Sequence, residues 1–326
     1  AGYSVTSVFI GGGTPSTVPV GRMEELMETV RGHYRLERDA EVTMEVNPGT
    51  VGPEALVRLR AAGVNRLSIG LQSADDKLLA AMGRIHTWEQ FTEVFAAARQ
   101  AGFDNINVDV MSALPGQTPA GYLETLERVC SLERPPEHIS AYSLILEEGT
   151  YLYDMYQRGK LDLLDEDTDR LMYRDTKTYL AKMGYGRYEI SNYAREGCAC
   201  RHNVGYWRRK DYAGFGIGAA SLVGNVRFQN GACLDAYLAE PMGCREEVKY
   251  LSLREQMEEF MFLGLRMTAG VSLDEFERLF GSPMEDVYGD VVRRNIQDGL
   301  LETSSPPGEG CFLALTEKGL DLSNYV

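Results

Sequence analysis

From the N-terminus to about residue 145 the chain alternates short β-branched runs with longer amphipathic stretches. Val5 to Ile10, Glu41 to Val46, Arg66 to Gly70, Asn105 to Val110 and His138 to Leu144 read as strands. Between them lie helical stretches such as Gly121 to Leu132, where Tyr122, Leu126, Val129 and Cys130 recur at i, i+4, i+7 and i+8 and share one face. Strand–helix alternation implies parallel strands with right-handed crossovers, either closed into a barrel or laid out as an open doubly wound sheet. Periodicity does not choose between the two. In both, a ligand meets the chain at the C-terminal ends of the strands.

Beyond residue 150 the pattern changes. Tyr151 to Gly184 reads as helical, Gly186 to Tyr193 as one further strand, and Arg195 to Gly224 as a stretch rich in Gly, Tyr and Arg. Helical segments near Leu253 to Met267, Ser272 to Phe280 and Met284 to Gln297 precede two strands, Leu300 to Thr303 and Cys311 to Leu315, joined by a loop at Pro306 to Gly308. Helices followed by a hairpin predict a small winged-helix-like α+β domain.

Charge then narrows the possible partners. The 326 residues carry a net charge of -15, and the segment from Leu251 to Val326 holds six basic against fourteen acidic residues, so the winged element is not expected to bind nucleic acid. With 44% hydrophobic and 25% charged residues the chain has the composition of a globular protein, and its length accommodates a large domain and a small one. No apolar run reaches the roughly 20 residues of a membrane span, and the first ten residues lack signal-peptide character, so a cytoplasmic location is expected. Six cysteines without disulfide-scaffold spacing fit a reducing compartment.

Unusual residues gather at the expected strand ends. Gly11, Gly12 and Gly13 with Thr14 and Pro15 follow the first strand; such a turn lets backbone amides approach a carboxylate or phosphate, or is simply a tight turn. Glu45 and Asn47 close the second strand, Gln72 follows RLSIG, Arg84 lies in GRIHT, and Asp109 sits inside INVDVM. A carboxylate in a buried parallel strand needs a specific partner, and an Arg84–Asp109 ion pair is one way to supply it. Glu45 and Asp109 are suited to ribose hydroxyls, Gln72 and Arg84 to a carboxylate.

The runs VFIGGGTPS, TMEVNPGT, GVNRLSIGLQS, MGRIHT and NINVDVMSALPGQT occur in this order, and the chain resembles the oxygen-independent coproporphyrinogen III oxidases and their HemW-type heme-chaperone relatives over nearly its whole length. That resemblance implies a partial TIM-like (β/α) barrel of the radical S-adenosylmethionine (SAM) type. It makes residues 1–245 the barrel core and 246–326 the C-terminal winged domain. It also implies SAM contacts at Gly12, Gly13 and Thr14, at Glu45 and Asp109, and at Gln72 and Arg84. The family holds a 4Fe-4S cluster with a CxxxCxxC motif upstream of GGGTP. Ten residues precede Gly11 here and none is cysteine, so the first strand and cluster loop are expected to be missing, the chain as given to be catalytically inactive, and its N-terminal side unstable.

Within the segment 198–210, CACRHNVGYWRRK brings together an imidazole, aromatics and basic residues, parts that suit heme: an axial ligand, an aromatic face, and cations for propionates. The plainer reading makes the aromatics core and the arginines a solvated face. A zinc site at Cys198, Cys200 and His202 lacks a fourth ligand. HNVGYW matches the HNxxYW signature of HemW-type proteins, and Cys200 matches a cysteine often found two residues before that histidine. The resemblance therefore implies heme contacts at His202, Cys200, Tyr206, Trp207 and Arg208, and a chaperone that delivers heme to acceptor apoproteins. The alternative it implies is an enzyme, coproporphyrinogen dehydrogenase, converting propionates to vinyls.

Overall fold

A computed structural model describes residues 2–305, 308 and 310–323. They form two compact units, Ala1–His202 and Asn203–Val326. In the first, five parallel strands, β1 (Val5–Ile10), β2 (Leu36–Val46), β3 (Arg66–Gln72), β4 (Ile106–Ser112) and β5 (His138–Ser143), are followed by short antiparallel β6 (Gly186–Arg187) and β7 (Asn192–Ala194). Their order, β1-β2-β3-β4-β5-β7-β6, makes a curled half-barrel. The expected five strands are all present. The single strand expected over Gly186 to Tyr193 is instead split, because Glu189 folds back to accept hydrogen bonds from Ser191 N (2.8 Å) and the Asn192 side chain, turning the chain between β6 and β7.

Helices cover one face of the sheet. Val42, Met44, Val46, Leu67, Ile69, Leu71, Ile106, Val108 and Val110 point outward into a core shared with Leu56, Leu59, Phe91, Phe95, Leu126 and Val129. Helix ends follow local sequence. Thr87 and Gln90 make a reciprocal capping box at the start of Trp88–Gln100, and Thr118 caps Pro119–Cys130, whose Pro sits at a first-turn position where no N–H is needed. The alternate residues of each strand face the other way, into the lumen, as the two-residue period of a strand requires.

The second unit contains an antiparallel sheet, β8 (Ala220–Val223), β9 (Val226–Asn230) and β10 (Arg245–Tyr250), ordered β10-β9-β8. Helices Leu253–Gly264, Leu273–Phe280 and Met284–Gln297 follow, with β11 (Val271–Ser272), β12 (Leu301–Ser304) and β13 (Phe312–Leu315) forming the wing in the order β11-β13-β12. The winged-helix expectation matches this element order; Pro306 and Pro307 of the expected loop lie outside the described residues. The two compact units divide between His202 and Asn203. Buried Glu259, on helix Leu253–Gly264, binds Arg209 (2.8 Å) and Arg227 of β9 (2.9 Å), so residues 203–245 are tied to the winged element. Among the described residues no helix is long and apolar enough to cross a membrane.

Removing one member of a buried ion-pair cluster strands the others. Glu259→Gln is expected to lower unfolding stability by about 3 kcal/mol, read as a lower urea midpoint; a loss under about 1 kcal/mol would assign the two arginines to solvent-screened pairing instead.

Candidate functional site

The lumen face of the half-barrel is a polar surface, and the ladder registers place its residues side by side. Ser7 pairs with Glu41, Phe9 with Thr43, Thr43 with Arg66, Glu45 with Ser68, Ser68 with Asn107, Gly70 with Asp109, Asn107 with His138, Asp109 with Ser140 and Met111 with Tyr142. Asp109 finds its partners in this layer. Asn107 Nδ2 donates to Oδ1 (2.8 Å) and Ser68 Oγ to Oδ2 (3.2 Å). The alternative of an Arg84–Asp109 ion pair does not occur; among the described residues Arg84 makes no ion pair and is half-buried.

At the C-terminal ends of the strands, Gly12 and Gly13 have φ of 85° and 60°, and Gly12 N donates to Glu45 Oε2 (3.0 Å). A Cβ on Gly11 would lie 2.7 Å from the Phe9 ring and 3.0 Å from the Glu45 carboxylate, so only glycine lets the turn lie this close to the strand end. Asn47 Nδ2 reaches Thr14 Oγ1 (3.3 Å). Across the sheet, a bulge between Gly70 and Gln72 puts Gln72 at φ 70°, a left-handed conformation unusual for a non-glycine, and Tyr142 Oη donates to its Oε1 (3.3 Å). The turn residues 12–14 thus gather with Glu45, and Gln72 and Asp109 lie on neighbouring strands of the same lumen.

Burial pushes the Glu45 carboxyl above its ordinary range, opposed by the Gly12 N–H and reinforced by the charge of Asp109. Asp109 is also raised, by burial first, against the hydrogen bonds from Asn107 and Ser68 and the charge of Arg66. Two carboxyl groups held in this way accept hydrogen bonds and favour a cation, while Arg84 offers a guanidinium with no carboxylate partner. Donor set and cradle together fit a small zwitterion bearing hydroxyls and a positive centre.

The HNVGYW segment begins inside the same lumen. Helix Arg201–Trp207 starts over Glu41, a carboxylate only 6% exposed, which accepts from Arg201 N (3.0 Å), His202 N (3.1 Å) and the Cys200 thiol (3.5 Å). The His202 ring stacks on Phe9 (centroids 5.0 Å apart), and its Nδ1 lies 3.1 Å from Ser7 Oγ. Burial lowers its pKa first, opposed by Glu41. Cys200 N donates to Tyr188 Oη (3.2 Å), which lies 2.8 Å from His138 Nε2; His138 Nδ1 lies 2.6 Å from Asn107 Oδ1. A continuous hydrogen-bonded path therefore runs from Asp109 to the start of the helix.

The remaining members of the motif belong to the second unit. Tyr206 meets Tyr212 edge-on at 4.6 Å, and Arg266 lies 4.3 Å over the Trp207 ring. The basic flank is less available than its composition suggests. Arg201 pairs with Asp39 (3.0 Å) and Arg209 with Glu259, leaving Arg208 and Lys210 as exposed cations without ion pairs among the described residues. Sequence reasoning missed Glu41, Ser68, Asn107, His138 and Tyr188. The available signal was the two-residue spacing of polar positions in strands otherwise apolar: Glu41, Thr43, Glu45 and Asn47 in β2 and its end, then Arg66, Ser68 and Gln72 in β3.

Comparison with known proteins adds names to this geometry. The radical SAM superfamily model matches residues 1–129, and the HemN C-terminal domain model matches residues 251–322. A heme chaperone HemW from Lactococcus lactis subsp. lactis (strain IL1403) is 36% identical over 321 residues, covering 98% of this chain and 83% of the relative. The heme chaperone HemW of Bacillus subtilis (strain 168) is also 36% identical, with coverage of 98% and 84%. The solved structure of coproporphyrinogen III oxidase (HemN) from Escherichia coli superposes with a TM-score of 0.82 over 99% of this chain and 77% of that one; at 23% identity this is a likeness of fold.

His138 is fully enclosed, and burial, with the charge of Arg66 behind it, holds its pKa well below 6.5. As the pH falls below 6.5, the unfolded chain takes up a proton here that the folded chain refuses. Its stabilising contribution is thus complete above that pH and is lost below it, at up to about 1.4 kcal/mol per pH unit. Urea unfolding at several values from pH 7.5 to 5 should show a steeper acid loss in the wild type than in His138→Asn; parallel profiles would mean that the imidazole is protonated in the fold.

Proposed function

The chain belongs to the radical SAM superfamily and, within it, to the HemW heme-chaperone family, and from that premise we propose that it binds heme and passes it to acceptor proteins, on a scaffold that holds SAM. The observation that carries this reading is the HNVGYW run, held over the lumen at Glu41 in a chain 36% identical to named heme chaperones across almost its full length. His202 is the proposed iron ligand, and exposed Arg208 the cation for a propionate. Tyr206 and Trp207, already engaged by Tyr212 and Arg266, support the segment.

For SAM, the turn Gly12–Thr14 would hold the methionyl end, Glu45 and Asp109 the nucleoside hydroxyls and positive centre, and Arg84 with Gln72 the carboxylate. With a 4Fe-4S cluster, bound SAM would supply radical chemistry at this site. Among the described residues no three cysteine, histidine or carboxylate side chains gather to hold a metal, so we assign no residue of this chain to the cluster. What these residues do is bind and orient: the carboxyls raised by burial remain good acceptors for hydroxyls, and Tyr142 fixes Gln72 from the opposite strand.

A hemin titration followed at the Soret band, with coproporphyrin III in parallel, tests the proposal. Saturable binding near one equivalent, weakened about tenfold or more in His202→Ala, is expected. Tight coproporphyrin binding without hemin binding would replace the chaperone with the oxidase reading. Separately, Asp109→Asn should reduce SAM affinity by about tenfold in calorimetry, since one charge-assisted acceptor is lost.

A further inference from the structure

The resemblance pairs Cys200 with His202 of the motif, yet the fold treats them differently. Cys200 is 1% exposed, and its thiol donates to Glu41 Oε1, while its own N–H is taken by Tyr188. His202 remains half-buried, with its ring directed by Phe9 and Ser7. Both are located by one side chain that lies about 160 positions away in sequence, on β2.

Glu41 faces three donors from consecutive residues, the Cys200 thiol and the N–H groups of Arg201 and His202. The last two are first-turn amides of a helix, groups with no acceptor inside the helix itself. A carboxylate opposite them satisfies both donors and the positive end of the helix dipole. A glutamate here acts as a cap delivered by the tertiary fold, with one carboxylate setting the start, height and rotation of the helix at the residue that carries the imidazole.

We infer that Glu41 is a positioning residue of the heme site, and that Cys200 belongs to this clamp rather than to the iron. The inference rests on the heme reading for its consequence but not for its geometry. Glutamine in place of Glu41 keeps the size and one acceptor oxygen, yet turns an NH2 toward one of the two N–H groups and leaves the thiol a poorer acceptor. The imidazole then loses its fixed height over Phe9 and Ser7. Replacing Cys200 by alanine removes one donor and leaves both backbone anchors in place.

Two readouts on the full chain separate the clamp from the heme reading. The first is heme-independent: alkylation of Cys200 by iodoacetamide, followed on its peptide by mass spectrometry. It is expected to be about tenfold faster in Glu41→Gln than in the wild type, with Glu41→Asp in between. The second is the ferric heme spectrum and affinity. Glu41→Gln should weaken hemin binding about tenfold and shift the absorbance and electron paramagnetic resonance signature of the iron, while Cys200→Ala keeps the wild-type spectrum. If Cys200→Ala changes the iron signature as His202→Ala does, the thiol is a ligand and the clamp assignment falls. Unaltered alkylation and an unaltered spectrum in Glu41→Gln would overturn the positioning role. Where the wild type binds no hemin but Glu41→Gln exposes Cys200, the clamp stands and the heme reading fails. Should Glu41→Gln not fold, Tyr188→Phe, which removes the acceptor for Cys200 N, gives the alkylation readout, and Glu41→Asp gives the spectrum.

Discussion

Most lumen-facing residues of the barrel strands are polar, and Glu41, Thr43, Arg66, Ser68, Asn107 and His138 among them are buried. A buried donor or acceptor left unmade costs about 1–3 kcal/mol, so these groups favour partners on other strands, although Thr43 Oγ1 and Arg66 Nε have none among the described residues. Asn107 answers most of that demand. It donates to Ser68 and Asp109 and accepts from Ser140, and the lone pair it shows His138 fixes that ring with its proton on Nδ1. Nε2 of His138 is then an acceptor for Tyr188, whose oxygen in turn receives Cys200 N. An asparagine on β4 thus sets a tautomer on β5 and, through it, the seat of a helix sixty residues further on.

The same arithmetic distinguishes the upper layer of the lumen from the lower one. Below, the network closes on itself: His138 is held neutral, and burial raises the Tyr188 phenol far above its ordinary range, so neither group changes charge at neutral pH. Above, capacity is left over. Glu45 and Asp109 each retain acceptor lone pairs, and Gln72 is kept in a left-handed conformation by the bulge in β3. Unspent hydrogen-bonding capacity beside local backbone strain is what a ligand would repay.

Much of this was legible in the order of residues. The first strand, the alternation of strands and helices, the glycine turn, and Glu45 with Asp109 could all be placed, because strand ends and charged residues in apolar runs are local signals. Glu41 was not, although it lies four positions before Glu45 on the same face of the same strand. At sequence level it is one more acid in a run of charged residues from Glu37 to Glu41. Only the fold shows that the strand enters the lumen there, and only the fold brings Cys200 and Arg201 to it. The tie between residues 203–245 and the winged element is of the same kind, since Glu259 joins Arg209 and Arg227 across long separations.

A signature such as HNxxYW invites the view that its residues share one task. In this chain they do not share one compact unit. The histidine is seated by β1 and β2, where Ser7, Phe9 and Glu41 meet it; the tyrosine and tryptophan pack on Tyr212 and Arg266. Both aromatic positions are therefore accounted for by packing. The histidine is different. Its contacts fix an orientation, and its pKa is held below the ordinary range by burial, which keeps the imidazole neutral and so a competent metal ligand at neutral pH. Orientation and neutrality together suit an imidazole to metal ligation, and within the motif only His202 carries an imidazole.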